Sequence, residues 1–372
     1  MNIDFGFLAV PADAPGVSDA EIYAGLTGSC TAHRALGFRT AWLIEHHFSD
    51  YYPCPSPLVL MAHLAARFPD LALGTCVLVA PWYHPLRLAG ELAMLSHLTD
   101  QKLYIGLGRG TAKYEYDAFG VSMAEARERF REAWEILDRA MEGTPFTYQG
   151  AHFRVEQPVR VRPTPRREQI DFFGAIGSPS STQVMAELGL APICTSFGAL
   201  TPELLPAWES RAREAGPLDR VSPLRPLLVN TIVADSDREA VDEAKEFMPR
   251  YMEAQVQHYG AHHVDIAGVR GYEAWASTFE RWKELTDPEQ IPSWTGAQIV
   301  GSPETVARRV QEFADAGSTT SSCTRSRQAR RARRSSAGQR ASPSRSLPAS
   351  ARRSPDGRIP LCRTRRANGW RS

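Results

Sequence analysis

Long apolar runs are missing from this 372-residue chain. Its first stretch, Met1-Asn2-Ile3-Asp4-Phe5-Gly6-Phe7-Leu8, has no basic leader and is too short for a signal peptide or a membrane span, so it reads as a first strand. Paired cysteines are missing as well. Cys30, Cys54, Cys76, Cys194, Cys323 and Cys362 show no Cys-x-x-Cys spacing. Neither a disulfide framework nor a zinc site is expected, no metal is expected elsewhere, and a reducing, cytoplasmic setting fits.

Net charge is nearly absent, at +1, but the balance hides two compositions. From Ser318 onward there are about fifteen arginines, one acid (Asp356) and no lysine, which leaves about −13 on residues 1–317. The tail also has almost no aliphatic residues and cannot bury a core. A nucleic-acid-binding tail is one reading. The favoured one is a slipped reading frame, because Arg, Ser, Pro and Ala are what a GC-rich gene yields out of frame and the change is abrupt. The expected organisation is a domain over residues 1–317, with an insertion at about 260–294, and a disordered Arg/Ser-rich tail over 318–372.

What is present is a repeated alternation of strands and helices. Ile3–Val10, Thr40–Ile44, Leu71–Val79, Leu103–Leu107, Ile170–Ala175, Pro192–Ser196 and Leu224–Ala234 read as strands. The helices between them carry their own signals: Ser18 as an N-cap and Gly37 as a stop, Ser122 with Glu125 as a capping box, and Ser302 followed by Pro303. Thr147–Val155 reads as a small hairpin decorating the rhythm. Repeated βα units with short connections predict a (β/α)8 barrel. The eighth strand is due after Gly317, where the composition changes, so the barrel is expected to lack a proper one.

The chain is organised around Trp42-Leu43-Ile44-Glu45-His46-His47-Phe48, an apolar strand that ends in an acid, two imidazoles and an aromatic ring. Neighbouring side chains on a strand point to opposite faces, so His46 and His47 cannot both look into one pocket while the strand continues. A salt-bridged carboxylate and a structural histidine compete with a catalytic reading of this stretch.

Glu45-His46-His47-Phe48, then Gly74-Thr75-Cys76 with His84-Pro85, then Gly106-Leu107-Gly108-Arg109-Gly110, then Phe119-Gly120 together resemble the bacterial luciferase-like family of flavin-dependent monooxygenases. The resemblance runs from Met1 to about Gly317. It implies a TIM-like barrel of the luciferase type, with His46 as catalytic acid or base tuned by Glu45, and Glu45 also touching the flavin. It implies further cofactor contacts from Cys76 and Val77, where the family carries a cis peptide, and from Arg109. Ser178, Ser180 and Ser181 would cradle the flavin phosphate at a helix start. His47, Trp82 and Tyr83 would wall the substrate site. Gly177 stands where the family often has Glu, and Gly108 stands where luciferase alpha chains carry a reactive cysteine.

The activity implied is oxygenation of a small organic substrate by reduced FMN and O2, with the FMN delivered by a separate flavin reductase. A homodimer is implied, with no membrane or nucleic-acid partner. The alternatives are a deazaflavin-dependent oxidoreductase that transfers hydride without oxygen, and a non-catalytic or damaged flavin-binding protein.

Overall fold

A computed structural model of the protein describes residues 3–11, 16–195, 201–216, 218–260, 266, 268–269, 271–273, 275–317 and 323–324. In chain order it begins with β1 (Gly6–Leu8), α1 (Asp19–Ala35), β2 (Thr40–Leu43), α2 (Pro57–Arg67), β3 (Ala72–Val79), α3 (Pro85–Leu95) and β4 (Leu103–Gly108). Next come α4 (Lys113–Phe119), α5 (Ala126–Met141), β5 (Phe146–Gln149), β6 (Arg154–Val159), β7 (Ile170–Ile176), α6 (Pro179–Glu187), β8 (Ala191–Thr195) and α7 (Thr201–Ala215). The chain continues through β9 (Leu227–Leu228), β10 (Asn230–Val233), α8 (Asp237–His258), α9 (Trp275–Glu284), α10 (Ile291–Thr295), β11 (Ile299–Gly301), α11 (Pro303–Asp315) and β12 (Cys323–Thr324).

Seven strands form one parallel sheet in the order β1, β2, β3, β4, β7, β8, β9. Each crossover carries a helix, and a sheet of this kind curls with helices on its outer face, as the alternation predicts. The expected seventh strand is two short pieces, β9 and β10, separated by Val229. The second piece leaves the main sheet and pairs in parallel with β11 on one side and β12 on the other. β12 also lies against β1. Among the described residues the eighth position of the barrel is therefore filled by two residues, the short pairing that a Ser/Thr-rich segment can make without aliphatic side chains.

Two of the apolar clusters pack the two faces of the main sheet. The larger lies between strands and helices and contains Phe7, Leu43, Met61, Leu64, Leu73, Leu92, Leu107 and Phe130, all essentially buried. The smaller fills the inside of the sheet around Trp42, which stacks on Tyr104 at 5.8 Å and meets Phe173 edge-on at 6.4 Å. Room for the indole comes from Gly6 and Gly74 on the flanking strands, where an added Cβ would sit 2.7 and 2.5 Å from the ring. A large residue on one strand facing small ones on its neighbours is how a barrel interior is filled.

Several local expectations are corrected. Ser122 caps only a short 3-10 turn, Met123–Glu125, and forms no capping box, because Arg129 one turn on takes the Glu125 carboxylate at 2.9 Å. Ile299–Gly301, which the sequence did not mark as a strand, is one, since β10 has an edge to offer it. The start of α11 matches its signals, with Ser302 accepting from the Thr305 N–H. The Thr147–Val155 hairpin is present as antiparallel β5 and β6. Residues 261–265 of the insertion and 325–372 of the tail lie outside the described residues, and the expectation of a disordered tail lies there with them.

The glycines of β4 generate a stability prediction. A Cβ on Gly106 would stand 2.3 Å from the Thr75 carbonyl oxygen of β3, a backbone atom that cannot step aside. Gly25 in α1 has nothing within 4 Å. In thermal melts Gly106→Ala should lose about 1–3 kcal/mol of stability, whereas Gly25→Ala should gain roughly 0.5–1 kcal/mol from helix propensity.

Candidate active site

The strands converge at their carboxyl ends, where β2 runs on through Ile44 into Glu45. The strand pattern persists one step further, because the His46 N–H donates to the Cys54 carbonyl at 3.3 Å and the two residues form an isolated bridge. Alternation therefore still governs this stretch. Glu45 and His47 share one face and His46 takes the other.

On the first face the Glu45 carboxylate is buried and collects donors from two segments. Its Oε2 accepts from the Val79 N–H at the end of β3 at 2.9 Å, and its Oε1 accepts from His47 Nε2 at 3.0 Å. Tyr83 also hydrogen-bonds to it. Burial pushes the Glu45 carboxyl up from its ordinary range, while the His47, Val79 and Tyr83 donors pull against that rise. The sequence reading set Glu45 beside His46 by adjacency. The structure pairs it with His47, two residues on, because those two side chains lie on the same side of the strand. Around the His47 ring stand Phe48, Trp82 and Phe119, with centroids 5.5, 5.5 and 4.8 Å away. Trp82 stands among these rings, whereas the Tyr83 hydroxyl is turned to Glu45.

On the second face His46 enters an enclosed cluster with Tyr51, Tyr259 and His258 at 5.0, 5.7 and 4.3 Å between centroids. Burial, and next the neighbouring His47, hold the His46 imidazole down at about 3. Beside it lies Glu115, a buried acid on α4 whose Oε1 accepts from the His47 backbone N–H at 2.7 Å. Burial pushes this carboxyl up to about 7. Sequence reasoning missed Glu115 and His258. The available signals were an acid set among Tyr114, Tyr116 and Phe119, and a histidine at the end of a long helix.

β3 and β4 shape the floor. The Cys76–Val77 peptide bond is cis, where the resemblance placed such a bond, and the register between β3 and β4 shifts between Thr75 and Leu78. Gly106 and Gly108 accommodate β3 itself: a Cβ on Gly108 would lie 2.4 Å from the Val77 side chain. Gly110 has φ +71°, a left-handed conformation that suits glycine, and a Cβ there would press on Val79 at 2.8 Å.

Arg109, between these glycines, is half-buried. Its Nη2 donates to the Gly271 carbonyl at 3.1 Å and its guanidinium lies 4.7 Å over the Tyr272 ring. Its Nη1 is buried without a hydrogen-bond partner. Gly271 separates it from Arg127 of α5: a Cβ there would be 2.9 Å from a guanidinium nitrogen of each. Arg127 Nη2 in turn donates to Ser180 Oγ at 3.1 Å. Arg109 and Ser180, far apart in sequence, thus lie on one basic track through Arg127, which sequence reasoning also missed. Ser178 and Ser181 are spent locally. Ser178 Oγ accepts from the Ser181 N–H at 3.3 Å, and Ser181 Oγ accepts from the Gly177 and Ser178 N–H groups at 3.0 Å each, as a helix N-cap requires.

The sequence offered no metal-ligand spacing, yet one ligand atom each from His46, Glu115 and His258 lie within 4.8 Å of one another.

Comparisons with known proteins agree with this architecture. An uncharacterized protein of Sinorhizobium fredii is 33% identical over 199 residues, 53% of this chain and 58% of that one. The oxygenase component of the flavin-dependent trigonelline monooxygenase of Acinetobacter baylyi is 26% identical over 231 residues, 61% of this chain and 63% of that one. The chain thus spans less than two thirds of the length of these relatives. Among solved structures, the oxygenating constituent of 3,6-diketocamphane monooxygenase from Pseudomonas putida, in complex with FMN, superposes with a TM-score of 0.65 at 19% identity, covering 87% of this chain and 92% of that one. An F420-dependent secondary alcohol dehydrogenase superposes with a TM-score of 0.66 at 15% identity, covering 88% and 94%; at such identities the likeness concerns the fold. The family description of luciferase-like monooxygenases matches residues 3–320, and the chain belongs to that family.

Proposed function

We propose that this protein is the oxygenase component of a two-component system, taking reduced FMN from a separate flavin reductase and using O2 to oxygenate a small organic substrate. The observation that carries the reading is the buried Glu45–His47 pair, set among aromatic rings at the carboxyl end of a luciferase-type barrel. Membership of the family and the oxygenase component among its relatives support it.

The residues fit a flavin phosphate. The unpartnered Nη1 of Arg109 is a buried donor in want of an acceptor, and Arg127 and Ser180 continue the same basic track. Two guanidinium forks suit phosphate oxygens, and the start of α6 adds the positive end of its dipole. Reduced flavin, when bound, supplies the electrons with which oxygen is activated. The chain's own part is to bind, orient and manage protons. With Glu45 ionised, His47 Nε2 carries a hydrogen and Nδ1 is left as a base; with a second proton on Nδ1 the ring is an acid. Phe48, Trp82 and Phe119 stand around the ring that carries that nitrogen. This reading gives the proton-handling role to His47, where the resemblance gave it to His46.

The homodimer belongs to the same proposal. Val59 on α2, Met94 on α3 and Leu98 just beyond it are large apolar side chains more than half exposed, and α2 packs beside α3. No helix among the described residues is long and apolar enough to cross a membrane. A cytoplasmic setting is proposed with the reductase, and Cys30, Cys54 and Cys194 are free thiols, as a reducing compartment allows.

The fold shared with an F420 enzyme makes hydride transfer the competing reading. Equilibrium binding of reduced FMN and reduced coenzyme F420, followed by oxygen-electrode traces, separates them. Tighter binding of FMN with oxygen uptake is expected. Preference for F420 without oxygen uptake would overturn the proposal.

The phosphate track has its own test. Arg127→Ala should weaken FMN by tenfold or more, about 1.4 kcal/mol, and leave riboflavin unchanged in fluorescence titrations, because only FMN carries the phosphate. Equal losses for both ligands would place the phosphate elsewhere.

A further inference from the structure

His46, Glu115 and His258 come from three separate elements, the end of β2, α4 and the last turn of α8. Glu115 Oε1 is 3.8 Å from His46 Nδ1 and 3.7 Å from His258 Nε2. Both nitrogens are buried and neither has a hydrogen-bond partner. The opposite nitrogen of each ring is held by hydroxyls: His258 Nδ1 by Ser49 at 2.7 Å and Tyr114 at 3.0 Å, and His46 Nε2 by Tyr259 at 3.4 Å.

His46 Nδ1 and His258 Nε2 thus both face Glu115 Oε1 with no hydrogen bond to it. Buried ring nitrogens left unsatisfied beside a carboxylate oxygen are costly, and a cation between them satisfies both. A histidine whose outer nitrogen is fixed by a hydrogen bond while its inner nitrogen faces a carboxylate is set up as a metal ligand.

We propose that His46 Nδ1, Glu115 Oε1 and His258 Nε2 form a binding site for a divalent transition-metal ion such as Zn2+ or Co2+. Two imidazoles and one carboxylate suit a borderline ion, and one oxygen donor is too few for Ca2+ or Mg2+. Bonds of about 2.0–2.2 Å in a tetrahedral set put ligand atoms roughly 3.4 Å apart, so the two distances to Oε1 need to close by only about 0.3–0.4 Å. The bound ion pins the end of β2 to α4 and α8 and so braces the mouth on the side away from Glu45 and His47. The site does not rest on the flavin reading, and it shares no side chain with the Glu45–His47 pair.

The test uses the full chain without a histidine tag, stripped with a chelator and titrated with Co2+ alone, reading calorimetry, visible absorption and thermal melting. The wild type should bind one equivalent, develop the absorption of imidazole-ligated Co2+ and melt higher with metal than without. His258→Ala should weaken binding roughly 100-fold or more, while His63→Ala, on α2, should bind as the wild type does. Glu115→Gln keeps the shape and removes the charge, so it should also lose the metal-induced rise in melting temperature. Absence of stoichiometric binding by the wild type would overturn the site and leave a metal-free network with a proton on Glu115. Binding undiminished in both His258→Ala and Glu115→Gln would overturn it equally. Because the wild-type titration decides by itself, a variant that fails to fold does not shelter the proposal.

Discussion

The buried carboxylate of Glu45 is the constraint on which the mouth of this barrel depends. It accepts from a backbone N–H at the end of β3 and from an imidazole two residues along its own strand, and so ties two strand ends at the point where their ladder stops. Hydrogen bonds to an ionised group contribute more than neutral ones, roughly 1.5–3 kcal/mol each. Without them the carboxylate would be a buried charge with no compensation, a far worse state than never having been there. The position of the His47 ring, the turn of Tyr83 away from the wall and the packing of Trp82 over His47 all follow from satisfying this one group.

From that tie, alternation distributes the chemistry. With Glu45 and His47 on one face, His46 must face the other, toward Glu115, His258, Tyr51 and Tyr259. The mouth thus has two sides, each with one buried acid and at least one imidazole. On the Glu45 side the pair is hydrogen-bonded and walled by aromatic rings. On the Glu115 side the nitrogens face the acid across 3.7 and 3.8 Å with no hydrogen bond between them. A close pair suits proton transfer, and an open triangle suits an ion.

How much of this was legible in the sequence depends on distance along the chain. The barrel rhythm, the Ser18 and Ser302 caps and the hairpin were readable because their causes lie within a few residues of one another. The same alternation that forbade His46 and His47 from sharing a pocket also dictated the Glu45–His47 pairing, yet adjacency suggested Glu45 with His46. Glu115, Arg127 and His258 were not legible, since each acquires its meaning from a partner 50 or more residues away. β11 was hidden for a similar reason: three residues become a strand only because β10 leaves the main sheet and offers an edge. The glycines of β4 entered only as part of the family motif, and the structure gives their first neighbour as β3 itself.

The claim that Glu45 sets the tautomer and aim of His47 is tested most directly by Glu45→Gln. The amide preserves volume and can still accept from Val79, but it offers His47 an N–H in place of an acceptor and so reverses the ring's tautomer. Flavin-dependent turnover should fall roughly 10²–10⁴-fold, the usual contribution of a positioned acid or base, with flavin affinity within about twofold of wild type. Turnover equal to wild type in a properly folded Glu45→Gln protein would contradict the account.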